Sequence, residues 1–167
     1  MTDSSQMPTP LHPSGESVSY QPVVDVDMLI RKAPGEVYRT FADPERICRF
    51  WLAESSGPLR TGARVTWTFK IAGAVAKVEV VEALPNRLLD LRWDDGRPLR
   101  IDFEDRGDAT LVHIRETDFG GDTPAANAIE SMSGFTLVLA SLKAWLEHGI
   151  EGDLMYDKFP DAEYSDR

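Results

Sequence analysis

The sequence is poor in the residues that build covalent and metal-bound sites. One cysteine, Cys48, occurs in 167 residues, which excludes a disulfide within the chain and fits a reducing compartment. The three histidines, His12, His113 and His148, have no metal-ligand spacing among themselves or with Cys48. The sequence also lacks a glycine-rich phosphate loop. We therefore expect a cytoplasmic protein with no metal and no other cofactor.

Positive charge and long apolar runs are scarce as well. Lys and Arg number 18 against 28 Asp and Glu, a net charge of −10. Nucleic acids and anionic membranes both require a basic surface, so neither partner is expected. No apolar run approaches the roughly 20 residues that span a bilayer, which argues against membrane insertion. The N-terminus also lacks the basic and then apolar order of a secretory signal.

Composition divides the chain into one domain and two tails. Residues 1–20 are rich in Ser, Thr, Pro and Gly and predict a flexible N-terminal arm. Residues 151–167 carry six acids and two bases, and form an acidic C-terminal tail. Several apolar side chains interrupt this tail, so part of it is expected to pack back on the domain. The domain itself is predicted at 21–150, and its 42% hydrophobic content is typical of a globular protein.

The spacing of apolar residues predicts an α+β fold. A strand at 23–31 precedes two short helices at 33–43 and 44–51. Five strands between 64 and 117 alternate apolar and polar side chains, and their short turns indicate an antiparallel meander. A helix at about 125–149 has one broad apolar face. Because the apolar face of an antiparallel sheet must be covered, we expect this helix to lie across the concave face of a curved six-stranded sheet.

Three blocks carry a resemblance to a known family: "APGEVYRTFADPERICRFW", "GAVAKVEVVEALPNRLLDLRW" and "GFTLVLASLKAWLEHG". Their order and spacing resemble the START-like (SRPBCC) superfamily, in the branch named for the activator of the heat-shock-protein-90 ATPase. The resemblance implies a helix-grip fold, as in the birch-pollen allergen, with a cavity between the sheet and the long helix. Superfamily members bind lipids, sterols, polyketides or aromatic molecules. The chaperone-activating member has an additional N-terminal domain, so the resemblance does not extend that activity to this chain.

Large apolar side chains on the inward faces of the strands and of the long helix are the candidate ligand-binding residues. Each of them alone fits an ordinary core position. Together they favour a cavity, because a strongly curved sheet and one helix rarely close without a gap. The predicted set is Trp67, Phe69, Val78, Val80, Leu91, Trp93, Ile101, Phe103, Phe135 and Leu139.

Polar candidates are few. Glu116 continues the inward parity of the last strand, unless the strand ends before it and leaves the carboxylate in solvent. His113 has the opposite parity and is expected at the surface. Cys48 lies between apolar neighbours with no histidine nearby, which favours a structural thiol over a nucleophile. The link "DFGGDTP" at 118–124 either gates the cavity mouth or is a simple turn.

Three functions stay open. The first is a binding protein for an apolar or aromatic small molecule, without catalytic residues. The second is a cyclase- or hydrolase-like enzyme that uses cavity carboxylates such as Glu116. The third is a chaperone- or stress-related protein-interaction domain. The sequence shows no clustered His, Cys or paired carboxylates at inward positions, which favours binding over catalysis. Monomer and homodimer are both compatible with the sequence.

Overall fold

The computed structural model describes residues 21–165, in which one antiparallel sheet packs against a long helix. The predicted arm at 1–20 and the last two residues, 166–167, lie outside the described residues. The elements are β1 (Val24–Ile30), α1 (Pro34–Ala42), α2 (Pro44–Ile47), β2 (Glu54–Ser55), β3 (Arg64–Thr68), β4 (Val75–Leu84), β5 (Leu88–Trp93), β6 (Pro98–Asp105), β7 (Thr110–Glu116), α3 (Pro124–His148) and α4 (Leu154–Asp157).

The sheet has the order β1-β7-β6-β5-β4-β3-β2, and every neighbouring pair is antiparallel. The described residues thus form seven strands, so the prediction of six is wrong. The additional strand, β2, has two residues, which pair with Thr68 and Trp67 of β3. Two polar residues cannot display the period-2 alternation from which the other strands are predicted.

The predicted long helix covers the sheet with its C-terminal half. Phe135, Val138, Leu139, Leu142 and Leu146 are all at most 8% exposed. Before Phe135, in contrast, α3 contributes a single buried residue, Ala128. The helix ends at Gly149, whose positive φ of 68° allows its N–H to reach the carbonyls of Ala144 and Trp145. In the described part of the chain, no helix has both the length and the apolar character to cross a bilayer.

A charged cluster joins the C-terminal end of α3 to β1. Glu147 accepts hydrogen bonds from the Lys143 ammonium, at 2.6 Å, and from the Arg31 backbone N–H, at 2.7 Å. Lys143 also donates to the Leu29 carbonyl at 2.7 Å. Burial alone would raise the pKa of Glu147, but the Lys143 and Arg31 hydrogen bonds outweigh it and hold that pKa below its ordinary value.

The first prediction tests the packing of α3. Truncating the fully buried Leu142 to Ala should cost about 2–5 kcal/mol in the free energy of unfolding, because it leaves a cavity in the core. Ile129→Ala is the matched control on the same helix, since Ile129 is 68% exposed, and it should cost less than about 0.5 kcal/mol. Chemical denaturation measures both, and equal losses would contradict the packing of α3 on the sheet.

The second prediction concerns pH. Replacing Glu147 by Gln should cost about 1–2 kcal/mol at neutral pH, because two charge-assisted hydrogen bonds to a carboxylate that is only 8% exposed are weakened. Since the folded pKa is lowered, the stabilisation by Glu147 is complete above the unfolded carboxyl value of 4.5 and is lost as the pH falls through the folded value. Denaturation at several pH values should therefore show the two proteins converging in acid. A difference that grows below pH 4.5 would contradict this linkage.

Candidate functional site

A cleft with a volume of about 710 Å³ opens beside the N-terminal half of α3. On the sheet side its lining includes Ala76 of β4, Trp93 at the end of β5 and Glu116 at the end of β7. The loop that leads into α3 contributes residues 118–121, and α3 itself contributes Ser131. The cleft thus lies between the ends of the strands and the start of the helix.

The sequence of α3 explains why a cleft forms there. Its first part, 124–134, reads PAANAIESMSG, in which most side chains are small or polar. The two large apolar side chains in this stretch, Ile129 and Met132, are 68% and 40% exposed and do not fill the space above the sheet. Asn127 and Ser131 line the cleft in their place. This first part of α3 therefore makes no continuous apolar contact with the sheet.

Three aromatic residues give the cleft an apolar wall: Phe69, Trp93 and Phe119. The ring centroids of Phe69 and Trp93 are 6.4 Å apart, and Trp93 meets Trp67 edge to face at 5.6 Å. Phe119 is 2% exposed although it lies in a loop. Among the described residues, the buried indole nitrogens of Trp67 and Trp93 have no hydrogen-bond acceptor. A buried donor without a partner is costly, so these two are unusual in a folded core.

A buried ion pair crosses the inner end of the cleft. Glu116 is 2% exposed, and its Oε1 accepts a hydrogen bond of 2.6 Å from Arg97 Nη1. Its other oxygen, Oε2, accepts a hydrogen bond from the Ser131 hydroxyl of α3. Arg97 Nε also donates to Asp95 Oδ2 at 2.7 Å, and the guanidinium lies 5.1 Å from the centre of the Phe119 ring. The network joins β7, the β5–β6 turn, the 118–121 loop and α3.

In this network the carboxylates of Asp95 and Glu116 both accept hydrogen bonds from protein donors. Burial alone would raise the pKa of Asp95, but the hydrogen bonds from the Arg97 side chain and backbone outweigh it and lower that pKa. Each oxygen of Glu116 already accepts a hydrogen bond from a protein donor. Glu116 therefore holds Arg97 and Ser131 in place through both of its oxygens.

The C-terminal segment ties the two sides of the cleft together. The Lys158 ammonium lies 3.0 Å from the carboxylate of Glu130 on α3. Farther along, Ser165 N–H donates to the Lys70 carbonyl at 3.0 Å, and Tyr164 forms a β-bridge with Ile71 beside the β3–β4 turn. Glu130 and the nearby Phe69 both line the cleft. Within the acidic tail, Tyr156 is buried, whereas Leu154 remains 38% exposed.

The predicted binding residues divide into two groups. Phe69 and Trp93 line the cleft. The other eight are at most 5% exposed and belong to the packed core: Trp67, Val78, Val80, Leu91, Ile101, Phe103, Phe135 and Leu139. Arg97, Phe119 and Ser131 line the cleft but are missing from the prediction, since none belongs to an alternating strand or to the apolar helix face. The one available signal was Phe119, a lone aromatic beside two glycines.

The polar candidates have distinct surroundings. Glu116 lies inside β7 and faces the cleft, so the inward alternative is correct for it. The Cys48 thiol donates to the Pro44 carbonyl at 3.1 Å, and burial raises its pKa, which disfavours the thiolate. His113 is 33% exposed, with Nε2 3.5 Å from a Glu104 oxygen. Within residues 21–165, no cluster of three or more His, Cys, Asp or Glu could hold a metal ion.

The family follows from a comparison with family models. The model described as "Activator of Hsp90 ATPase homolog 1-like protein" (AHSA1) matches residues 32–147. The chain belongs to this family. The resemblance predicted from the three sequence blocks is confirmed, and the AHSA1-like match ends where α3 ends. No curated protein matches the chain.

Solved structures share the fold of this AHSA1-like chain. A Staphylococcus saprophyticus protein has 26% identity and a TM-score of 0.71, over 78% of this chain and 96% of its own. The Aha1 dimer from Colwellia psychrerythraea has 19% identity and a TM-score of 0.66, over 77% and 98%. DynU16, from the dynemicin biosynthetic locus, has 22% identity and a TM-score of 0.69. The match covers 77% of this chain and 48% of DynU16, about half its length.

The third prediction tests the ion pair of this AHSA1-like protein. Arg97→Met should cost about 3 kcal/mol in the free energy of unfolding, because the buried Glu116 carboxylate loses its cation. Arg100→Met is the matched control, since the Arg100–Asp102 pair, at 2.7 Å, has 49% and 37% exposed side chains. Because that pair is exposed, Arg100→Met should lower the free energy of unfolding by less than about 1 kcal/mol. Similar losses in urea denaturation would show that Arg97 has no special structural role.

Proposed function

We propose that this protein binds a small molecule with an apolar or aromatic body in the cleft between the sheet and α3. One observation carries the proposal: a cleft of about 710 Å³ with Phe69, Trp93 and Phe119 on its wall. Clefts of roughly 300–1,000 Å³ accommodate drug-sized molecules, and aromatic side chains supply most of their binding surface. A ligand would thus bind at the end of the sheet, with the packed core beneath it.

The polar groups of the cleft support a binding role. Arg97, Glu116 and Ser131 are fixed by one another, so they form a preorganised floor that needs no reordering when a ligand enters. The indole N–H of Trp93 has no acceptor among the described residues, and the Trp93 ring lines the cleft. A few fixed polar groups beside an apolar wall are typical of small-molecule sites.

The two alternatives have less support. A cyclase- or hydrolase-like enzyme requires a positioned acid or base, and Glu116, the candidate for that role, is engaged in an ion pair with Arg97 and a hydrogen bond from Ser131. A chaperone-related interaction domain is compatible with the family and with the fold shared with the Colwellia Aha1 protein. The fold shared with DynU16, from a dynemicin biosynthetic locus, is equally compatible with small-molecule binding. The aromatic cleft favours the small molecule.

The fourth prediction fills the cleft. Ala76 is half-buried on β4 and lines the cleft, so Ala76→Trp should occupy the ligand's space. Titration with the neutral aromatic dye Nile red, followed by dye fluorescence, should give a dissociation constant of order 1 μM for the native protein, about −8 kcal/mol. Ala76→Trp should raise the dissociation constant of the dye by about tenfold or more, because the new ring covers the aromatic wall.

The matched control places the same ring on the other face of the strand. Val75 is the neighbouring residue and is 55% exposed, and successive strand residues point to opposite faces. Val75→Trp should therefore leave Nile red affinity within about twofold of the native value. Thermal unfolding checks that both variants are folded. Equal effects of the two substitutions, or no binding to the native protein, would contradict the proposed site.

A further inference from the structure

The cleft of the proposed function is strongly acidic. Its lining contains five carboxylates, at Asp94, Asp95, Glu116, Asp118 and Glu130, and one cationic side chain, Arg97. Five negative charges and one positive charge give the lining a formal charge of −4. The whole chain, with its net charge of −10, adds to this field instead of opposing it.

Arg97 is already paired within the protein, and its side chain is 28% exposed. Its Nε and Nη1 donate to Asp95 and Glu116 at 2.7 Å and 2.6 Å. Its guanidinium lies 5.1 Å from the centre of the Phe119 ring, within the range of a cation–π contact. The positive charge is thus compensated by two carboxylates before any ligand enters. An anionic ligand would therefore meet a cleft whose lining keeps a net negative formal charge.

Two of the remaining carboxylates lack a protein cation. Glu130 is paired with Lys158 at 3.0 Å. Asp94 accepts one long hydrogen bond, 3.4 Å, from the backbone N–H of Lys77, and no ion pair to it occurs among the described residues. Asp118 has neither a hydrogen bond nor an ion pair within residues 21–165, and it is exposed at the cleft. In the sequence, Asp94 directly follows Trp93 of the aromatic wall, and Asp118 directly precedes Phe119.

Aromatic faces and uncompensated carboxylates attract the same chemical group. The face of an aromatic ring carries negative partial charge and attracts an ammonium ion, most strongly when the ring is a tryptophan. Carboxylates nearby add a Coulombic attraction that grows as water is excluded. We propose that the ligand of this cleft carries a positively charged amine or quaternary ammonium group attached to its apolar body. This inference rests on the proposed function, and it narrows the ligand class from apolar molecules to amphipathic cations.

Three probes that share one apolar body test the charge. They are 1-naphthylmethylammonium, the neutral 1-naphthylmethanol and the anion 1-naphthoate, each titrated by isothermal calorimetry at low salt. We expect the cation to bind about tenfold tighter than the alcohol, and the anion to bind most weakly. The advantage of the cation should shrink when the salt is raised from about 0.02 M to about 0.5 M, since salt screens exposed charges.

The variants remove the charge and keep the shape. Asp94→Asn combined with Asp118→Asn should bring the affinity of the cation to within about twofold of that of the alcohol, and leave the alcohol unchanged. Asparagine tolerates the positive φ of 61° at position 118, so the backbone is preserved. Asp122→Asn is the matched control, because Asp122 lies in the same loop, is exposed and does not line the cleft. It should retain the full preference for the cation.

Each outcome decides between the two proposals. Equal binding of the three probes, or tightest binding of the anion, overturns the cationic ligand and leaves the small-molecule site standing. A cation that binds Ala76→Trp as tightly as the native protein is held by the acidic surface and not by the cleft, which also overturns the inference. If none of the probes binds the native protein, the cationic ligand and the proposed function both fail. Loss of preference in Asp122→Asn as large as in the double variant contradicts the assignment to Asp94 and Asp118.

Discussion

The whole structure depends on covering the apolar face of one sheet. The strands send core side chains such as Val80, Leu91 and Ile101 to one side, where each is fully buried. An antiparallel sheet with one apolar face is stable only when another layer covers that face. The C-terminal half of α3 supplies that layer with Phe135 and Leu142.

The cleft lies where the apolar part of α3 no longer covers the sheet. The first part of α3 offers Ala, Asn and Ser where the second part offers Phe, Val and Leu. At this end lie Trp93, the last residue of β5, and Phe69, directly after β3, and both are partly buried against the core. The sheet also ends in a carboxylate, Glu116, which could not stay buried alone. Arg97 compensates its charge and Ser131 anchors it to the helix. Binding surface and buried ion pair are thus two consequences of one gap.

The fold was largely predictable because its signals are local. Alternation predicts the five meandering strands and a helical period predicts α3, whereas the sequence leaves the direction of Glu116 open between the cleft and solvent. The cleft was not predictable in the same way. Val80 and Trp93 have the same inward direction, yet only Trp93 lies beyond the apolar part of α3 and lines the cleft. How far the helix reaches along the sheet is set by contacts between distant segments, and Arg97 lies in a turn, where no period indicates its partners.

The same contacts determine where the cleft can open. Its inner end is fixed, because Glu116 joins β7 to Arg97 on one side and to Ser131 of α3 on the other. Widening the cleft there would break charge-assisted hydrogen bonds in a poorly solvated site, which is costly. The loop before α3 is different, since Gly120 and Gly121 have open space around them and no side chain to lose. The cleft thus has a fixed inner end at Glu116 and an open side at this loop.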